Sequence, residues 1–223
     1  MRSSPWSRSV DARHKAAAVG CAVGLVGWSN GVLPRLGFGA RGRAAANVLA
    51  AVGLSGAAVA AGLSADELGW RKPGAGLRWG AAAAAIPLLA YPAMVATPAI
   101  RSRMASGARR ADLTEWVFVH IPFGTVLAEE LAFRSVLYTL AHRAFPRGAT
   151  VFGAVAFGLW HVRPARDAGD SIAGTVALTS AASLLFELLR GRSGSVIAPA
   201  LLHLSVNAGG AAAAELAAGR LAR

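Results

Sequence analysis

Four stretches of this chain carry no Asp, Glu, Lys or Arg: residues 16–34, 44–65, 79–100 and 193–214. Each is close to the roughly 20 residues a helix needs to cross the hydrocarbon core of a bilayer. Only helices and closed barrels satisfy their backbones in lipid, and unbroken apolar runs of this length are helical. The composition agrees, with 55% hydrophobic residues, 15% charged residues and a mean hydropathy of +0.47. A soluble domain is far more polar. The expected fold is an all-α polytopic transmembrane bundle of about seven membrane helices, embedded in a lipid bilayer. The first apolar run is too long for a cleavable signal peptide and more spans follow it.

The net charge of +12 raises nucleic acid as a partner. The sequence argues against it, because Lys and Arg are spread over all the short loops, as is normal beside membrane helices. Counted outside the helices, they number eleven on each side, so charge does not orient the chain. Cys21 is the single cysteine and has no intrachain partner. A composition rich in Ala, Gly and Arg, with Lys15 and Lys72 the only lysines, suggests a GC-rich bacterial genome and hence a bacterial plasma membrane.

Along the chain, a basic tail (1–15) precedes N-terminal membrane helices and an interfacial connector (16–113). The expected spans there are 16–34, 44–63 and 79–100, the last carrying Pro87, Pro92 and Pro98 as kink sites. Trp70 and Trp79 mark the connector as interfacial. A helical core follows (114–215), with helices over about 114–142, 148–162, 171–189 and 195–215. A short tail (216–223) ends the chain. The helix over 148–162 is short for a span.

Ionisable groups at membrane depth are costly and mark function. Here they are Glu129, Glu130 and Arg134 on one helix, His161 at the end of the next, and His203 on the last, joined by Asn207. Residues four apart share a helix face and adjacent ones diverge by about 100°. Glu130 and Arg134 therefore form an internal ion pair. Glu129 points elsewhere without a local basic partner, which suits a working carboxylate. His203 and Asn207 share a face and can donate to a common point, although Asn207 could equally bond a neighbouring helix. Phe157 shares the face of His161 and is expected to pack against the site. His120 reads as interfacial or structural, and Glu187 with Arg190 as a solvated helix end.

A carboxylate, two histidines and an asparagine make a hydrolytic set: one part activates water, another stabilises an oxyanion. No H-E-x-x-H surrounds any histidine and no pair of aspartates lies inside the spans. "GRSG" (Gly191–Gly194) mimics a serine-protease motif. On one continuous helix, however, its serine would lie about 15 Å from His203, so it reads as a loop and helix start.

"EELAFR" (Glu129, Glu130, Arg134), "FGLWH" (Phe157, His161) and "HLSVN" (His203, Asn207) resemble, in order, the three motifs of the CPBP family. Its name joins CAAX-prenyl proteases and bacteriocin-processing enzymes; it is also called Abi. The resemblance covers about 115–215. It implies an intramembrane endopeptidase acting on a membrane-associated peptide or protein. Carried over, Glu129 is the base that activates water with His161 beside it, His203 and Asn207 stabilise the oxyanion, and Glu130 with Arg134 supports them. No cofactor is certain; Glu129, His161 and His203 could in principle hold Zn²⁺. Glu187 stands where the resemblance expects a small residue. The alternative is a non-catalytic scaffold or bacteriocin self-immunity protein on the same fold.

Overall fold

A computed structural model describes residues 5–106 and 110–221. All regular structure among the described residues is helical, with no strand. Helix α1 (Pro5–Gly27) continues through a π-helical turn (Trp28–Val32) to Arg35. Then come α2 (Ala40–Ala60), α3 (Pro73–Ala96), α4 (Pro98–Ala105), α5 (Leu113–Ala144), α6 (Ala149–Trp160), α7 (Val162–Ala168), α8 (Ile172–Ser193) and α9 (Ile197–Leu221). Six of these (the α1 segment Asp11–Arg35, α2, α3, α5, α8 and α9) are long and apolar enough to cross a membrane. The protein is a multi-pass membrane protein.

The seventh expected span is the short one. At 12 residues, α6 is about 18 Å long and cannot cross a bilayer alone. Other boundaries also differ from the sequence reading. Pro73 opens α3 at the first helical turn, where a missing N–H costs nothing. Pro98 does not kink this helix but ends it. Thr97 is driven to ψ 115°, as a residue before proline tends to be. Part of the expected basic tail is helical, since α1 reaches back to Pro5; residues 1–4 of that tail lie outside the described residues. The "GRSG" stretch closes α8, with Gly194 at φ +66° as its left-handed cap.

Successive spans run antiparallel, so two ends of the bundle can be distinguished. The α1–α2 link, the start of α5 and the end of α9 share one end, where Arg41 on α2 grips Glu115 on α5 with two bonds of 2.6 and 2.9 Å. At the other end, the 61–72 connector is tied down by specific contacts. Leu68 is fully buried, and Ser135 and Arg190 donate to the carbonyls of Leu68 and Glu67. Glu67 closes a capping box with Ser64 and pairs with Arg143. The Ser64 backbone N–H, then Arg143, hold the Glu67 carboxyl down at about 2, against an ordinary 4.5. A depressed folded value stabilises above pH 4.5, and that contribution fades as pH falls toward 2. We expect Glu67→Gln to lower the unfolding midpoint slightly at pH 7, by at most about 1 kcal/mol for a half-exposed pair. The difference from wild type should shrink below pH 4.5 and vanish only in melts at or below about pH 2.

Small residues set the seams between helices, as packing in lipid requires. Gly76 and Gly80 of α3 lie against Ser195 and Leu201, and Gly209 of α9 lies against Tyr91. Gly124 on α5 meets Ala44 on α2 so closely that an added Cβ would sit 2.5 Å from the Ala44 Cβ and 2.9 Å from its Cα. Neither atom can swing aside. Gly124→Ala should therefore cost about 1–3 kcal/mol, read as a lower unfolding temperature in detergent.

Candidate active site

Helix α5 is wound unusually. It is π-helical over Trp116–Leu127 and again over Glu130–Leu137, a winding commonly tied to functional sites. Pro122 lies inside the first stretch. Glu129 sits at the junction of the two stretches. It is 6% exposed, Glu130 is 2% and Arg134 is 0%: three charged groups inside the bundle.

Their partners come from α6, α8 and α9. The Arg134 guanidinium lies 4.1 Å over the Phe157 ring and 4.8 Å over Phe186, a cation–π sandwich that suits a desolvated cation. It donates to Ser183 Oγ at 2.8 Å and lies 3.6 Å from Glu130 Oε1. The expected Glu130–Arg134 pair is present, but the shorter contact of Glu130 goes elsewhere. His203 Nδ1 is 2.9 Å from that same Oε1. A carboxylate only accepts, so Nδ1 carries the proton. The ring stacks on Phe186 at 5.0 Å, and its Nε2 faces Glu129 Oε2 at 4.0 Å. The two glutamates diverge as helical geometry requires, yet they bracket one imidazole, Glu130 at one nitrogen and Glu129 at the other.

Glu129 is held from a second side. Trp160 donates its indole N–H to Glu129 Oε1 at 3.2 Å, whereas Oε2 is buried without a hydrogen-bond partner. His161 is not bonded to Glu129. It sits in the break between α6 and α7, and its Nδ1 bonds the Phe157 carbonyl at 2.8 Å, which leaves Nε2 as the basic nitrogen. Phe157 is 2% exposed and packs beneath Arg134 and both histidines.

A cavity of about 900 Å³ opens beside these groups. Glu129, Trp160, His161 and Asn207 line it; His203, Glu130, Arg134 and Phe157 lie behind the wall. The cavity extends to the α1–α2 end of the bundle, where Leu33, Pro34 and Ala40 line it with Arg43, Arg110 and Arg163. His120 also lines it. Its Nε2 rests 3.2 Å from Glu115, and its buried Nδ1 has no partner. The residue is therefore less inert than its sequence context suggests.

Glu129, His161 and His203 do not fit a zinc centre as placed. No three His, Cys, Asp or Glu side chains are grouped as metal ligands among the described residues. The 4.0 Å between Glu129 Oε2 and His203 Nε2 also exceeds the ~3.3 Å expected of two donors on a tetrahedral zinc with bonds of about 2 Å.

The expected solvated end of α8 is a correction. This helix runs on to Ser193, and Glu187 and Arg190 are each 4% exposed. Arg190 bonds the Arg134 carbonyl at 2.9 Å. Glu187 faces α6 at Gly153, where a Cβ would lie 2.8 Å from its Oε1. A glycine opposite makes room for a glutamate where the resemblance expects a small residue. Ser193 Oγ bonds the Leu189 carbonyl, a helix-end contact. Trp160 and Ser183 are the partners that sequence reasoning missed. The signal for Trp160 was present: a buried indole N–H needs an acceptor, and this one adjoins a motif histidine.

Residues 112–209 match the model of the family described as Rce1-like, type II CAAX prenyl endopeptidase. Over that segment the chain is similar to this family, the CPBP family. The Rce1-like segment is somewhat less than half of the chain and holds all three motifs. It begins just before α5 and ends on α9, so α1 to α4 lie outside it. No curated protein and no solved structure matches the chain. The match supports a membrane-embedded protease at family level.

Proposed function

We propose that this protein is an intramembrane endopeptidase in which Glu129 activates water. The observation that carries this reading is the Glu129 carboxyl: buried at the cavity wall, one oxygen fixed by Trp160 and the other unpartnered and facing His203. A buried acceptor left open beside a cavity is where a reactive water can be held and deprotonated. The water oxygen bonds to the peptide carbonyl carbon as its proton passes to Glu129. His203, when protonated at Nε2, and Asn207 from the next turn of α9 donate to the resulting oxyanion. As the C–N bond breaks, Glu129 returns the proton to the leaving amine. His161 presents Nε2 to the same cavity. Glu130 and Arg134 act from behind, orienting His203 and balancing charge.

The substrate is a peptide segment of a membrane-associated peptide or protein entering from the α1–α2 end, in a bacterial plasma membrane. The test is cleavage by purified protein in liposomes. A farnesylated peptide ending in a CAAX sequence and an unprenylated leader peptide are offered, with products read by mass spectrometry. Wild type should cut at a defined bond and His203→Ala should lose about 10²-fold in rate, as for removal of one oxyanion donor. Cleavage at an undiminished rate by His203→Ala would sink the assignment.

A further inference from the structure

α6 ends at Trp160 and α7 begins at Val162, with His161 between them at φ −91°, ψ 4°. Such a break leaves backbone groups on both sides without helical partners, and at membrane depth water is not there to take them. The first helix takes them. Ser29 Oγ donates to the Trp160 carbonyl at 2.8 Å. Asn30 Nδ2 donates to the Leu159 carbonyl at 2.8 Å, and Asn30 Oδ1 accepts the Arg163 N–H at 2.6 Å. One amide thus spans the break, bonded to the chain two residues before His161 and two residues after it. Asn30 is itself anchored, since Nδ2 also reaches the Val26 carbonyl at 2.9 Å. Both residues lie within the π-helical turn Trp28–Val32, where the wider winding turns Ser29 and Asn30 toward α6 and α7. The backbone they grip carries Trp160, whose N–H holds Glu129, and His161 at the cavity wall.

We propose that Asn30, assisted by Ser29, is a positioning residue of the site: its amide clamps the α6–α7 break and so fixes His161 and Trp160 relative to Glu129. Both residues precede the Rce1-like segment at 112–209, so the first helix is part of the working site rather than a membrane anchor alone. The functional half of this inference rests on the role given to His161 and Glu129 above; the clamp itself does not.

The test uses the full chain in liposomes and two readouts. The first is hydrogen–deuterium exchange over 159–165 without substrate. Asn30→Ala should speed exchange of the Arg163 amide by about tenfold or more, as its bond to Asn30 Oδ1 is lost. Asn30→Asp keeps an oxygen toward Arg163 but sets its other oxygen against the Val26 and Leu159 carbonyls, and should exchange between wild type and Asn30→Ala. Ser29→Ala removes a donor to a carbonyl and should leave the Arg163 amide at the wild-type rate. Equal exchange in wild type and Asn30→Ala overturns the clamp. The second readout is peptide cleavage. Asn30→Ala should lower kcat about 30-fold with KM within about threefold, the scale of an ångström-sized misplacement. Added to His161→Ala it should cost clearly less than its full ~30-fold, because the part of its effect that passes through His161 is already lost and only the Trp160–Glu129 part remains. A full multiplicative loss in the double variant overturns the positioning role. The peptide used is whichever of the two above wild type cuts; if wild type leaves both intact, or if Glu129→Gln and His161→Ala both cleave normally, the proteolytic reading falls and the exchange result alone decides the clamp.

Discussion

Glu129→Gln is expected to lower kcat by about 10³-fold, within the range for loss of a positioned general base, while KM and the folded state hardly change. The reason lies in how the carboxyl is held. Glutamine keeps an Oε1 to accept the Trp160 N–H, now 3.2 Å away, so the side chain stays in place. What it loses is the basic oxygen facing His203 Nε2. Glu130→Gln is the informative companion. An amide oxygen still accepts from His203 Nδ1 at the present 2.9 Å, but the charge beside Arg134 is gone. We expect a loss of about tenfold in kcat together with a lower unfolding temperature. Single-turnover cleavage in liposomes, paired with thermal melts, separates the two glutamates. Equal losses of activity in both variants would contradict the division of labour between them.

Arg134→Ala should be the most damaging substitution to stability. The guanidinium is fully buried, sandwiched by Phe157 and Phe186, and bonded to Ser183. Its removal opens a cavity among aromatic rings and leaves Glu130 without its cation. Breaking one side of a buried ion pair costs about 3–5 kcal/mol, a large part of a domain's total stability. Poor accumulation in membranes is the expected outcome. Arg134→Lys keeps the charge but loses the planar face that stacks on the rings and the fork that reaches Ser183 and Glu130 together. It should accumulate and melt at an intermediate temperature. A lysine variant as stable as wild type would show that charge alone is what the site requires.

Much of this arrangement was legible from residues alone. Apolar runs give the long spans because bilayer thickness fixes their length, and i,i+4 spacing gives the Glu130–Arg134 pair. The convergence of "EELAFR", "FGLWH" and "HLSVN" on one cavity follows from the resemblance, not from spacing. Three features were hidden for physical reasons. Glu187 and Arg190 look solvated because they approach a charged loop, and only the packing of α8 against α5 and α6 shows them buried. Asn30 looks like an ordinary polar residue in a membrane helix, since its partners lie about 130 residues away. His120 looks interfacial or structural because it lies near the start of its helix, and no residue pattern announces that α5 is π-wound.

That last point has a consequence for how α5 tolerates change. At 3.6 residues a turn, nine residues are about two and a half turns, which would place His120 and Glu129 on opposite sides of the helix. The i→i+5 winding holds more residues in each turn, and nine become about two turns. Both side chains then reach one cavity. The segment between them is therefore more sensitive to length than to composition. Apolar exchanges at lipid-facing Phe118 or Phe123 leave the register alone. Deleting one residue there would rotate everything upstream by about 80° and carry His120 and Trp116 out of the cavity wall without altering either. Insertions and deletions, rather than point substitutions, are what this helix is built to exclude.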